Sequence, residues 1–152
     1  MTTRVAHPTE LLGLVGEPIG TTDWYEITYE QVNLFADATG DYRTIPTHPQ
    51  RATGTLLANP ITPAYLTLAL LPRALDDLVS IDSAPTTLDH GLGTVHFPAP
   101  AATDAKVRCT GRILAAQRRR TGIEVVFGIT VEAEADAAPQ PVCVAEPIRI
   151  YR

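Results

Sequence analysis

Lysine is almost missing from this chain: of 12 basic residues only Lys106 is not arginine, and the formal charge is -5. A surface that tracks nucleic-acid phosphates needs clustered Lys and Arg. The one local cluster, Arg118-Arg119-Arg120, stands between two strand-like runs and just before Thr121-Gly122, which reads as a solvated hairpin tip. Cysteine is scarce as well. Cys109 and Cys143 cannot make a disulfide framework, and both sit in strand-like runs as buried thiols do. No apolar run approaches the ~18 residues of a membrane span, and the opening MTTRVAHPTE lacks the apolar region of a signal peptide. The expectation is a chain free in a reducing cytoplasm, with no membrane and no nucleic acid among its partners. Chemical signatures are sparse too. The four histidines and two cysteines show no metal-ligand spacing, there is no Gly-rich phosphate loop, and Ser80 and Ser83 lie outside any nucleophile elbow. No metal and no other cofactor is expected.

What is present fits one domain, residues 1–152, at an ordinary 45% hydrophobic content. A short apolar stretch, TELLGLVG, reads as a helical turn or two ending at Gly16, and TTDWYEI reads as a strand. Thr28-x-x-Gln31 is a capping box, and Tyr29, Val32, Phe35 and Ala36 give the helix behind it one apolar face. Gly40 supplies a left-handed stop, so Asp41 stands just past a helix end. In ITPAYLTLALLPRALDDLV, Thr62 reads as an N-cap and Pro63 as the first helical residue. From Tyr65 to Leu71 nearly every side chain is apolar or small, the pattern of a helix buried on all sides. Pro72 should kink or end it. The period then changes to two: Val107, Cys109, Ile113 and Ala115 alternate with charged residues, as do Ile123, Val125, Phe127, Ile129 and Val131, with VCVAEPIRIY as a third run and DAAPQP as a hairpin loop. Helices followed by long antiparallel strands define an α+β domain in which a curved sheet wraps a central helix.

Four segments in this order, FADATGD (35–41), AYLTLALLP (64–72), GLGTVHFPAP (91–100) and CVAEPIRIY (143–151), resemble the MaoC-like enoyl-thioester hydratases and 3-hydroxyacyl-thioester dehydratases, especially the nodulation-protein-N-like branch. The resemblance spans residues 8–152. It implies a hotdog domain, a homodimer or a hotdog heterodimer, and an acyl thioester of coenzyme A or acyl carrier protein held near the subunit interface. In that family an Asp after Thr-Gly and a His five positions later hold and activate a water. Asp41 matches the Asp, but the His position is Pro46. Where the family reads Ala-His-Gly this chain has Thr62-Pro63-Ala64, the Arg before Phe-Pro-Ala-Pro is His96, and His48 stands where another Asp is usual.

Hydration or dehydration of a thioester needs a base, an acid, and donors for the charge that grows on the carbonyl oxygen. Backbone amides near Ala64 and Tyr65 can serve as the donors whatever the side chains are. Asp41 is the candidate catalytic residue, with Tyr42, Arg43 and His48 shaping its surroundings and Ala64 and Tyr65 binding substrate. Asp41 also reads as an ordinary turn residue beside a helix end, and His48, His90, His96 and Asp89 read as loop or strand residues. The altered dyad leaves two functions open. One is a lyase-type enzyme of the dehydratase or hydratase kind, diverged toward a specialised dehydration, isomerisation or ring-forming addition on a conjugated carbonyl. The other is a non-catalytic hotdog subunit that pairs with an active dehydratase.

Overall fold

The computed structural model describes residues 2–42 and 61–152. Its framework is the alternation of the second half. Three long strands, β6 (Lys106–Arg119), β7 (Gly122–Ala133) and β8 (Gln140–Tyr151), pair antiparallel in sequence order, and β5 (Thr87–His96) joins β8. Val107, Cys109 and Ile113 of β6 and Val125, Phe127, Ile129 and Val131 of β7 are completely or almost completely buried on one face. The basic triplet is the expected hairpin tip, closing on Gly122 at φ +141°. Only glycine fits there, because a Cβ would collide with the carbonyl oxygen of Tyr151.

On the far side of β6 lie β2 (Pro18–Thr21) and β3 (Tyr25–Glu26), both antiparallel to it. The single strand expected over TTDWYEI is therefore two, and Thr22 is the reason. Its Oγ1 accepts the N–H of Cys109 at 3.0 Å, the donor that a continuous ladder would give to a backbone carbonyl, while it donates to the carbonyl of Asp23 at 2.8 Å. Before β2, a 3-10 helix at Pro8–Leu14 buries Leu11 and ends ahead of the left-handed Gly16. A parallel ribbon of β1 (Thr3–Val5) and β4 (Val79–Ile81) ties the N-terminus to the end of the helical region.

Three α-helices stand among the described residues. Helix α1 (Tyr29–Thr39) begins with the expected box: Gln31 N–H donates to Thr28 Oγ1 at 3.2 Å and Thr28 N–H to Gln31 Oε1 at 3.0 Å. It buries Val32 and Ala36. The apolar segment forms α2 (Ala64–Ala69) and α3 (Leu71–Leu78), divided where Pro72 occupies the first turn of α3. The start differs by one residue from the sequence reading. Pro63 is the N-cap, and the Thr62 hydroxyl donates to the carbonyl of Ala102 at 3.2 Å instead of capping. Burial differs as well. Leu71, Ala74, Leu75 and Leu78 of α3 lie inside the sheet's curve at no more than 3% exposure, but α2 buries only Thr67 and leaves Tyr65 67% exposed. The expectation of burial on all sides is therefore not met by α2, which packs one side against β8 and leaves Tyr65 to solvent.

In the sheet order β2-β6-β7-β8-β5, with β3 also on β6, strand β5 is an edge. Nine of its ten residues are exposed, Val95 being half-buried. This is the α+β hotdog architecture. No helix among the described residues is long and apolar enough to cross a membrane.

Candidate active site

Asp41 follows a helix end built as the sequence indicates. Gly40 takes φ +71°, and its N–H returns to the carbonyl of Ala36 at 2.8 Å. The Asp41 N–H points back to Thr39 Oγ1 at 3.4 Å, and the residue is half-buried. Tyr42 folds over the same helix, its hydroxyl donating to Oδ1 of Asp37. That bond raises the Tyr42 phenol above its ordinary titration range, with a smaller contribution from desolvation. So Asp41 lies between two anchors, Thr39 behind it and Tyr42 ahead. Arg43, Pro46 and His48 lie outside the described residues.

The start of α2 is pinned independently. Thr62 N–H donates to the carbonyl of Ala101 at 2.7 Å, and Ile61 bridges Ala102. The first amides of a helix have no acceptor within it, and here they belong to Ala64 and Tyr65. Tyr65 packs its ring against Phe97 with centroids 5.7 Å apart and planes tilted by 59°. The structure thus joins Ala64, Tyr65 and the Phe-Pro-Ala-Pro segment, whereas the hydrogen bond described for Asp41 runs to its own helix.

Among the described residues two mainly apolar cavities flank α2. One, about 300 Å³, lies at its N-terminal end among Thr62, Ala64, Thr67, Phe97 and Val142. The other, about 320 Å³, lies at its C-terminal end between Leu68, Pro72 and Leu75 on the helices and Asp89 and Leu92 on β5. Both are lined by the same helix, and both meet β5 or the residues that follow it. A small apolar cleft with few polar groups is the usual form of a small-molecule site.

Sequence reasoning missed Arg149. It is 4% exposed, yet its Nε donates to Asp89 at 2.8 Å, its Nη1 to Asp76 at 2.7 Å and its Nη2 to the carbonyl of Pro72 at 3.0 Å. Burial opposes the charge, and the bonds to Asp76 and Asp89 more than offset it, so the guanidinium titrates above its ordinary range. The only signal in the sequence was a charge at a core-facing position of the β8 alternation. The other flagged residues stand apart: His90 and His96 are exposed on β5, and Cys109 and Cys143 are buried free thiols. Among the described residues no three His, Cys, Asp or Glu side chains could hold a metal ion.

A wrapped antiparallel sheet, a helix broken by proline within it and a Thr-Gly-Asp turn at the end of α1 are the marks of a hotdog-fold lyase of the dehydratase and hydratase type. Residues 11–135 match the family described as MaoC like domain, and the chain belongs to that family. It is 38% identical over 143 residues, 93% of either chain, to 3-hydroxyacyl-thioester dehydratase Z of Mycobacterium tuberculosis strain H37Rv. It is 30% identical over 130 residues to Nodulation protein N of Rhizobium leguminosarum bv. viciae, covering 82% of this chain and 80% of the relative. Among solved structures, the R-hydratase PhaJ1 of Pseudomonas aeruginosa shares the fold with a TM-score of 0.71 at 20% identity, covering 90% of this chain and 81% of that one.

Proposed function

We propose that the protein processes an acyl thioester of coenzyme A or acyl carrier protein, with the carbonyl at the amides of Ala64 and Tyr65 and the acyl chain in the trough toward β5. The observation that carries this reading is the mainly apolar 320 Å³ cavity between the helices and β5, in a chain of the MaoC-like family. In a dehydration, the amides would take up negative charge on the thioester oxygen as a base removes the Cα proton. An acid then protonates the hydroxyl that leaves Cβ. Asp41 is the side chain proposed to carry the proton. Arg43 and His48 complete its proposed surroundings together with Tyr42.

Pro46 can neither accept nor donate a proton, so simple hydration of a straight-chain enoyl thioester is the step this chain is least equipped for. Chemistry that depends on placement and carbonyl polarisation more than on an activated water suits it better: a specialised dehydration, an isomerisation, or a ring-forming addition. The same Pro46 favours the second reading, a non-catalytic subunit that lends half a tunnel to an active dehydratase. A homodimer or heterodimer through β5 belongs to both readings, and the free buried thiols accord with a reducing cytoplasm.

The deciding experiment is turnover of a panel of 3-hydroxyacyl and enoyl thioesters by the wild type and Asp41→Asn, with melting temperatures alongside. Loss of turnover at an unchanged melting temperature supports the enzyme reading. Loss of stability assigns Asp41 to the turn. Absence of turnover in both proteins, restored only on co-expression with an intact dehydratase, supports the subunit.

A further inference from the structure

We infer that Arg149 is a positioning residue that forms the end wall of the acyl cavity and so limits the chain length the protein accepts, an inference that rests on the acyl-thioester reading above. The 320 Å³ cavity includes Pro72, Leu75 and Asp89 in its lining. A separate cavity of about 160 Å³ is lined by Asp76, Thr87, Tyr151 and Arg149 itself. The arginine lines only the second, but it is bonded to residues of both. Each of its donors reaches a different anchor: Nε binds Asp89 of the first cavity, Nη2 binds the carbonyl of Pro72 of the first cavity, and Nη1 binds Asp76 of the second.

A planar fork with donors in fixed directions can hold three acceptors at once, which the single ammonium of a lysine cannot. The fork therefore fastens edge strand β5 and helix α3 to β8 and keeps the two cavities apart. An acyl chain that reaches this wall would have to displace charge-assisted hydrogen bonds to extend further, so favourable burial of methylenes stops there. With the wall removed, further methylenes can pack against Val79, Ile81 and Tyr151 of the second cavity, and affinity rises by up to roughly tenfold for every two of them buried. The two carboxylates are 71% and 62% exposed in their side chains. Truncating the arginine thus leaves solvated acids, not buried charges, and the variant retains the means to fold.

The test is binding of saturated acyl-CoAs from butyryl to palmitoyl, measured calorimetrically on the full chain, so that it does not depend on turnover. Ala69→Phe, at an exposed position lining the front cavity, should move the optimum to shorter chains. Arg149→Ala should move it to longer ones, with at least a tenfold gain for the longest chain relative to the shortest, and Arg149→Lys should resemble the alanine variant. An optimum that moves with Ala69→Phe but stays fixed in a folded Arg149→Ala overturns the wall and leaves the acyl cavity standing. An optimum indifferent to Ala69→Phe overturns the cavity reading and the wall with it. If Arg149→Ala does not fold, the double variant Asp76→Asn, Asp89→Asn loosens the fork while keeping its bulk. A shift toward longer chains then supports the wall, and no shift overturns it.

Discussion

The phenol of Tyr25 donates to Oδ2 of Asp77 at 2.6 Å and lies 4.3 Å beneath the guanidinium of Arg73, so β3 is fastened to α3 by two contacts on one side chain. Burial first, and then Asp77, raises this phenol far above its ordinary range. The neutral form is the one the fold favours, so its stabilising effect is complete below the unfolded pKa of ~10 and is lost as pH rises beyond it. Tyr25→Phe should cost about 1 kcal/mol at neutral pH, or roughly 2–4 °C in melting temperature for a chain of this size. The gap between wild type and variant should close above about pH 10. Urea midpoints across pH check both statements.

Cys109 and Cys143 face the same interior, Cys109 pairing with Val131 on β7 and Val131 with Cys143 on β8. Burial, and next the neighbouring Cys143, push the Cys109 thiol up to about 12, and burial also raises Cys143. Neither should react with iodoacetamide at neutral pH in the folded protein, and both should react in denaturant. The linked stability is whole below the unfolded thiol pKa of ~8.5 and drains away as pH rises toward about 12. Labelling of either thiol in the native state would contradict this placement.

Pro46 defines an expectation about rate. Straight-chain enoyl-CoA hydration should fall well below ~10 per second, the median for enzymes. Pro46→His should raise it, within the ~10²- to 10⁴-fold range of a placed acid or base. Stopped-flow absorbance of the enoyl thioester reads both proteins, and wild-type hydration at ordinary rates would contradict the reading.

Among the described residues strand β5 has no pairing partner on its outer side, and Leu88 is 43% and Leu92 47% exposed. A long edge of this kind demands a cover. The protein should be a dimer by light scattering, and Leu92→Glu should shift it toward monomer. A wild-type monomer at micromolar concentration would rule out the edge as the interface.

The features legible in the sequence were those set by near neighbours. Thr28 and Gln31 meet across one helical turn, Gly40 stops its own helix, and β7 shows its buried face in every second residue. What could not be read depends on residues far apart in the chain. Arg149 finds partners 60 and 73 positions away, and no local rule distinguishes a core arginine from an error in register. The split of residues 18–26 into two strands depends on Thr22 meeting Cys109, 87 positions on. The open face of α2 depends on what packs against it, which the apolar count of that helix does not encode. Asp41 was legible as a position, but its chemistry depends on what faces it.

Strand β5 also has two sides in a thermodynamic sense. Asp89 and Leu92 line a cavity while the same stretch of backbone is, among the described residues, an edge of the sheet. If an acyl chain seats against one side and a subunit adds to the other, and each shifts the strand that both use, the two binding events are coupled. The factor by which a partner alters affinity for an acyl thioester must equal the factor by which the thioester alters affinity for the partner. Choice of subunit and choice of substrate would then be, on this strand, a single selection.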